Sequence, residues 1–202
     1  MAASRYDARR SPMTRQPRSP SCRDDWLAHP PRATVRPALR PWLIDAGSLT
    51  ARIRARCARF EVEVIRQAPA RPHPDEAELL GLRPGERCWL REVLLHADGE
   101  VVVYARSVLP RHHLRGAWRL FHGIGSRPLG AALFSDPRIA RQPLRCAQLD
   151  RRDARYHRVM AVTGGLPRLP ARLWARRSLF RLRGRALLVS EIFLPDILTL
   201  RP

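Results

Sequence analysis

Two charged residues sit where the sequence otherwise places apolar side chains. Arg91 lies in RCWLREVLLHADGEVVVYARSVL (residues 87–109), with Trp89, Val93 and Leu95 at alternate positions beside it. Glu191 lies in ALLVSEIFL, on a face shared with Leu187, Val189 and Phe193. A guanidinium on an apolar face is costly unless an anion or a set of acceptors meets it. Arg91 is therefore either an anion-binding residue or an arginine satisfied within the protein. Glu191 is either the partner of one of the many arginines or a catalytic carboxylate. A third candidate is Leu129, in GSRPLGAALF. Ser126 can cap a helix there, with Pro128 in its first turn. Leu129 then falls where backbone N–H groups lack partners and the helix dipole is positive, which favours an anion. The plainer alternative is a well-capped short helix.

Those residues need a sheet to carry them. Asp98-Gly99, between two apolar runs, is a two-residue hairpin signal. Both faces of this hairpin are mainly apolar, as in a central pair covered on both sides. Counting back from the turn pairs Ala97 with Glu100 and places Arg91 directly opposite Arg106. Opposed like charges are unfavourable, so the register predicts either two arginines dividing a dianion or a partner found elsewhere for Arg106. The first case predicts that Arg106→Leu costs affinity for a dianion without costing thermal stability. A second hairpin turns at Arg183-Gly184-Arg185, between RSLFRLR and ALLVSEIFL. FEVEV alternates as a half-exposed strand with Phe60, Val62 and Val64 inward. QPLRCAQL (142–149) reads as another strand. Leu39, Trp42 and Leu43 have helical spacing, and Ser48 caps a helix presenting Leu49, Ile53 and Cys57 on one side. DEAELLGL reads as a helical turn or two closed by Gly81. HHLRGAWRLFHGI reads as a helix and 151–170 as an irregular excursion.

The chain has 202 residues and is 45% hydrophobic, enough for one domain with a real core. No apolar run approaches the roughly 20 residues of a membrane-spanning helix. Residues 1–33, rich in Pro, Ser and Arg, read as a disordered tail, and 34–202 as the folded domain. The basic N-terminus has no apolar run after it, so no signal peptide is expected. Cys22, Cys57, Cys88 and Cys146 are widely spaced, as reduced and mostly buried thiols of a cytoplasmic protein would be. The net charge of +20 comes from 38 basic residues, every one of them arginine. Complete absence of lysine, with abundant Ala and Pro, looks like coding bias rather than a nucleic-acid surface, and no recognition motif accompanies it. No dinucleotide fingerprint, phosphate loop, nucleophile elbow or zinc spacing is present. A site with no metal and no cofactor is the default.

WLREVLLHADGE, RPLGAALF and ARRSLFRLRGRALLVSEIFLP, in that order, resemble the chorismate lyase family over about residues 37–197. The resemblance implies an α+β fold: an antiparallel β-sheet of about six strands with short helices covering an enclosed ligand site. It implies a monomeric enzyme that releases pyruvate from chorismate to give 4-hydroxybenzoate, the first step of bacterial ubiquinone synthesis. It also implies ligand contacts at Leu49 (where the family often has methionine), Arg91, Leu129 and Glu191, with Arg91 and Glu191 catalytic. The chemistry suits them: an arginine for a carboxylate, helix-start N–H groups, and a carboxylate for the ring hydroxyl. The same fold resembles the effector-binding domain of some transcription regulators, which catalyse nothing. Residues 1–36 are too short and Pro-rich for the winged helix-turn-helix such chains carry.

Overall fold

The computed structural model describes residues 25–121, 123–165 and 169–200. The central hairpin forms as expected: β2 (Cys88–Ala97) and β3 (Glu100–Pro110) meet at Asp98 and Gly99, whose φ angles are +52° and +92°. Around it lie α1 (Arg40–Ile44), α2 (Leu49–Arg54), β1 (Phe60–Ala70), α3 (Pro74–Leu80) and α4 (Leu129–Ser135). They are followed by β4 (Ala140–Arg141), β5 (Arg145–Asp150), α5 (Ala154–Val162), β6 (Arg172–Leu182) and β7 (Arg185–Phe193). All seven strands join one antiparallel sheet in the order β1-β2-β3-β7-β6-β4, with β5 also pairing β6. The fold is thus α+β, with one strand more than expected. No helix among the described residues is long and apolar enough to cross a membrane.

The sheet is covered on both faces, as its doubly apolar strands require. On the front, Leu43, Leu49 and Ile53 of α1 and α2 pack with Val93, Leu95, Val103 and Phe193. Also on the front, Leu129 and Leu133 of α4 pack with Phe180 and Leu187. On the back, Tyr156 and Val159 of α5 pack with Leu94, Tyr104, Ala175 and Ile192. Several local expectations are corrected. Residues 111–121 form two short 3-10 turns rather than an α-helix. Trp118, Phe121 and Ile124 are buried at every third residue, which is the 3-10 period. The 151–170 stretch is not all irregular. Asp153 caps α5 by accepting the Arg155 N–H (2.8 Å), and a buried arginine hid the amphipathic pattern. Val64 is exposed because β1 bulges just beyond it. The folded chain begins before residue 34: Trp26 is buried under Arg177 and Arg155, and Leu27 pairs with Cys146. Residues 1–24, including Cys22, lie outside the described residues.

The largest correction is the hairpin register. Ala97 does pair with Glu100 and His96 with Val101, but Leu95 pairs with Val103. Val102 is an extra residue, a bulge. From there on Arg91 faces Ser107 and Glu92 faces Arg106. A one-residue slip exchanges the faces of a strand, so Arg106 points to the back of the sheet, away from Arg91. There its Nε and Nη2 donate to both oxygens of Glu76 (2.7 and 3.0 Å), and Nη1 donates to Glu92 (3.0 Å). Glu92 also accepts from Tyr104 Oη (2.7 Å) and Arg158 (2.6 Å). The two-arginine clamp is therefore absent.

Burial would raise the carboxyl pKa of Glu76, but Arg106 outweighs it and holds Glu76 below its usual value. Glu92 is held down likewise by Arg158, Tyr104 and Arg106. A carboxylate depressed in the folded state stabilises it above the unfolded pKa, and that stabilisation fades as pH falls through the folded value. Acid unfolding is thus expected to set in as the pH drops below the ordinary glutamate value of 4.5. At neutral pH, Arg106→Leu leaves the buried Glu76 without its cation, while Glu92 keeps Arg158, and is expected to cost about 3–5 kcal/mol. Urea unfolding of both proteins checks this, and an unmoved midpoint would show that the network carries no stability.

Candidate functional site

Two short helices close over the front of the sheet, and each begins at an expected site residue. Leu49 opens α2, where Ser48 Oγ accepts the Ala51 N–H at 3.3 Å. Leu129 opens α4; Pro128, not Ser126, is the capping residue. Asp45 shapes the corner between α1 and α2. Its Oδ1 accepts the Gly47 N–H (2.7 Å), and its Oδ2 accepts from Arg52 Nη1 (2.8 Å). Beneath α2 and α4 lies a cavity of about 50 Å³, whose lining includes Leu49, Arg91, Leu129 and Glu191. All four residues named from the sequence meet there, although they come from β2, β7 and two helices.

Arg91 is 2% exposed and its Nη2 donates to the carbonyls of Gly125 (2.9 Å) and Arg127 (3.2 Å). Gly125, at φ +51°, takes a conformation that suits glycine and turns its carbonyl to this task. Arg91 Nε is buried without a hydrogen-bond partner. Burial with no facing carboxylate pushes its pKa down to about 10, still fully charged at neutral pH. Other buried arginines behave differently: Arg106 and Arg177 of the sheet and Arg155 of α5 each meet carboxylates.

Glu191 pairs with Arg176, whose Nε donates to Oε2 at 2.6 Å. The sequence left open whether Glu191 was an arginine's partner or a site residue; the structure makes it both. Arg176 Nη1 donates to Trp42 and Asp45 carbonyls (2.7 and 2.9 Å), and its Nη2 is buried without a partner. Arg141 also lines the cavity; its Nη1 donates to the Ala46 and Gly47 carbonyls and its Nε is buried and unpartnered. Burial, with Arg176 nearby, lowers the Arg141 pKa despite Glu191. Three guanidinium groups and one carboxylate thus line the cavity, a net positive site with free donors for an anion. Sequence reasoning missed Arg141 and Arg176. Arg176 had a signal, because it alternates with Trp174, Ser178 and Phe180, as Arg91 does with Trp89 and Val93. Arg141 had none, lying in a strand of two residues. Among the described residues no three His, Cys, Asp or Glu side chains are grouped to hold a metal ion.

The chorismate lyase family model matches residues 23–201. The chain belongs to the chorismate lyase family. A relative from Aromatoleum aromaticum, named probable chorismate pyruvate-lyase, is 69% identical over 177 residues, covering 88% of this chain and 95% of that protein. A relative of the same name from Azoarcus sp. is 62% identical over 182 residues, covering 90% and 96%. Among solved structures, PhnF from Mycobacterium smegmatis superposes with a TM-score of 0.51 at 20% identity, covering 76% of this chain and 66% of that one. A GntR-family transcriptional regulator from Bacillus cereus gives 0.50 at 14% identity, covering 69% and 94%. At such identities these two share the fold alone.

In this chorismate lyase family member α2 and α4 meet over the cavity, which both helices line. Their contact is tight at Gly130. A Cβ there would lie 3.1 Å from Thr50 Oγ1 and 3.4 Å from Ser48 Oγ. Gly130→Ala gains about 1 kcal/mol of helix propensity but crowds the closed contact by a comparable or larger amount. The expected result is an unfolding midpoint that does not rise. Thermal unfolding of both proteins measures it; a midpoint raised by the full helix-propensity gain would mean that the α2–α4 contact has room for a methyl group.

Proposed function

We propose that this protein removes pyruvate from chorismate to give 4-hydroxybenzoate, and so supplies the aromatic ring for ubiquinone. One observation carries the reading: a buried, unneutralised arginine and a half-buried glutamate share one cavity, in a chain whose relatives are named for this reaction. Chorismate has a ring carboxylate at C1, an enolpyruvyl ether at C3 and a hydroxyl at C4, para to C1. Arg91 takes the ring carboxylate by a charge-assisted pair, using the Nε that the protein leaves free. The N–H groups opening α2 at Leu49 and α4 at Leu129 add neutral donors. Glu191, held by Arg176, accepts the hydrogen bond of the C4 hydroxyl.

The reaction breaks the C3–O bond and loses hydrogen from C4; aromatisation supplies the driving force. The protein's work is to hold the reacting conformer, exclude water, and stabilise charge on the departing enolpyruvate with fixed guanidinium groups. The hydrogen from C4 either reaches Glu191 as a proton or passes directly to the enolpyruvyl methylene.

Incubating the protein with chorismate in chelator and following 4-hydroxybenzoate and pyruvate tests the activity. Binding of 4-hydroxybenzoate without consumption of chorismate would leave a ligand-binding domain of the same fold. Glu191→Gln keeps the shape and an acceptor oxygen while removing the charge facing Arg176. If charge or proton transfer at Glu191 matters, kcat falls by about 100-fold or more. A change confined to KM would make it a hydrogen-bond acceptor only, and unaltered constants would remove it from the site.

A further inference from the structure

We infer that Arg141, together with Arg176, forms the subsite for the enolpyruvyl carboxylate of the substrate. The inference rests on the proposed reaction and extends it to two residues to which the sequence reading gave no role. It follows from the order of groups across the sheet. Arg91 stands on β2, Glu191 on β7, Arg176 on β6 and Arg141 on β4, and those strands lie in that order with β3 between the first two. Strands are about 4.8 Å apart. Glu191 is therefore two strand spacings from Arg91, roughly 10 Å between backbones, a gap that an arginine side chain and a para-substituted ring fill. With the ring carboxylate at Arg91 and the C4 hydroxyl at Glu191, the neighbouring C3 substituent lies at the Glu191 end of the ring. The cations at that end are Arg176, paired with Glu191, and Arg141, which feels the charges of both.

These two arginines have donors to spare. Arg176 Nη2 and Arg141 Nε are buried without hydrogen-bond partners. Glu191 is the one carboxylate among the described residues lining the cavity, and Asp45 near both arginines is already paired with Arg52 at 2.8 Å, so neither arginine is fully neutralised. The guanidinium of Arg141 also lies by the rings of Phe134 and Phe180, 5.4 and 5.3 Å from their centroids. Its position is set by two aromatic rings and two backbone carbonyls, while its Nε has no hydrogen-bond partner. The cavity carries three cations against one carboxylate, a charge suited to a dianion rather than to a monoanion. Chorismate is the dianion and 4-hydroxybenzoate the monoanion, so the second subsite distinguishes substrate from product.

The test uses two unreactive ligands: 4-hydroxybenzoate bearing a carboxymethoxy group at C3, and the same molecule with that carboxylate converted to its amide. The full-length wild type is expected to bind the acid about tenfold or more tightly than the amide, the scale of one charge-assisted hydrogen bond. Arg141→Gln is expected to abolish that preference and lower kcat/KM for chorismate by at least about tenfold, while 4-hydroxybenzoate affinity changes less than about twofold. Equal binding of acid and amide by the wild type would overturn the subsite, however the variant folds. Equal losses for chorismate and 4-hydroxybenzoate in Arg141→Gln would overturn it too, making Arg141 a prop for the Ala46–Gly47 backbone. Chorismate turnover by the wild type is scored separately: its absence removes the activity itself, whereas turnover with equal analogue binding removes only the subsite.

Discussion

One extra residue in β3, Val102, sets how charge is divided between the two faces of the sheet. Its carbonyl accepts the Leu194 N–H at 3.0 Å, so the bulge is tied to the chain that follows β7. Without it Arg106 would stand opposite Arg91, and both would point into the front cavity. With it, Arg106 turns to the back and Ser107 takes the place beside Arg91. Two like charges in a low-dielectric pocket repel strongly, and the bulge avoids that without changing a side chain. The consequence is a front face on which β2 and β3 present one arginine, Arg91.

The two faces treat buried arginine in opposite ways. On the back, Arg106, Arg155, Arg158 and Arg177 are met by Asp75, Glu76, Glu92 and Asp153. Breaking a buried pair leaves an uncompensated charge, which is why such a network resists change one residue at a time. It also fixes α3 and α5 to the sheet, since Asp75 and Glu76 open α3 and Arg155 and Arg158 lie on α5. On the front, Arg91 has carbonyl oxygens where its back-face counterparts have carboxylates. Carbonyls orient a guanidinium without neutralising it. The cost of holding that charge in a closed cavity is offset elsewhere, in the apolar packing of α1, α2 and α4 on the sheet.

How much of this was legible in the sequence depended on whether the signal was local. Both hairpins were, because Asp98-Gly99 and Arg183-Gly184 carry turn chemistry in two residues. Arg91 and Glu191 were conspicuous because each interrupts an apolar alternation, and Leu129 because proline and glycine bracket it. The register was not legible: a bulge leaves no mark in VVVYA, where successive residues are all compatible with either face. The back-face network was hidden for the same reason. Glu76 caps α3 by accepting the His73 N–H at 2.8 Å, and it is also the buried partner of Arg106 from another element. Arg141 belongs to a strand of two residues, too short for any period to show.

The same backbone segment links closure of the cavity to its electrostatics. Arg176 and Arg141 hold the carbonyls of Trp42, Asp45, Ala46 and Gly47, the corner from which α2 departs. Cations that act on a reaction are most effective when they are fixed in advance, because nothing need reorganise as charge develops. Here the fixing groups are part of the cover. When α2 packs against α4, the corner is in place and both guanidinium groups are anchored next to Glu191. Arg176 is held both by those carbonyls and by Glu191 at 2.6 Å, and Arg141 by carbonyls alone. Carbonyls fix the direction of a guanidinium without cancelling its charge, so the corner before α2 orients both cations while leaving Arg176 Nη2 and Arg141 Nε without protein partners.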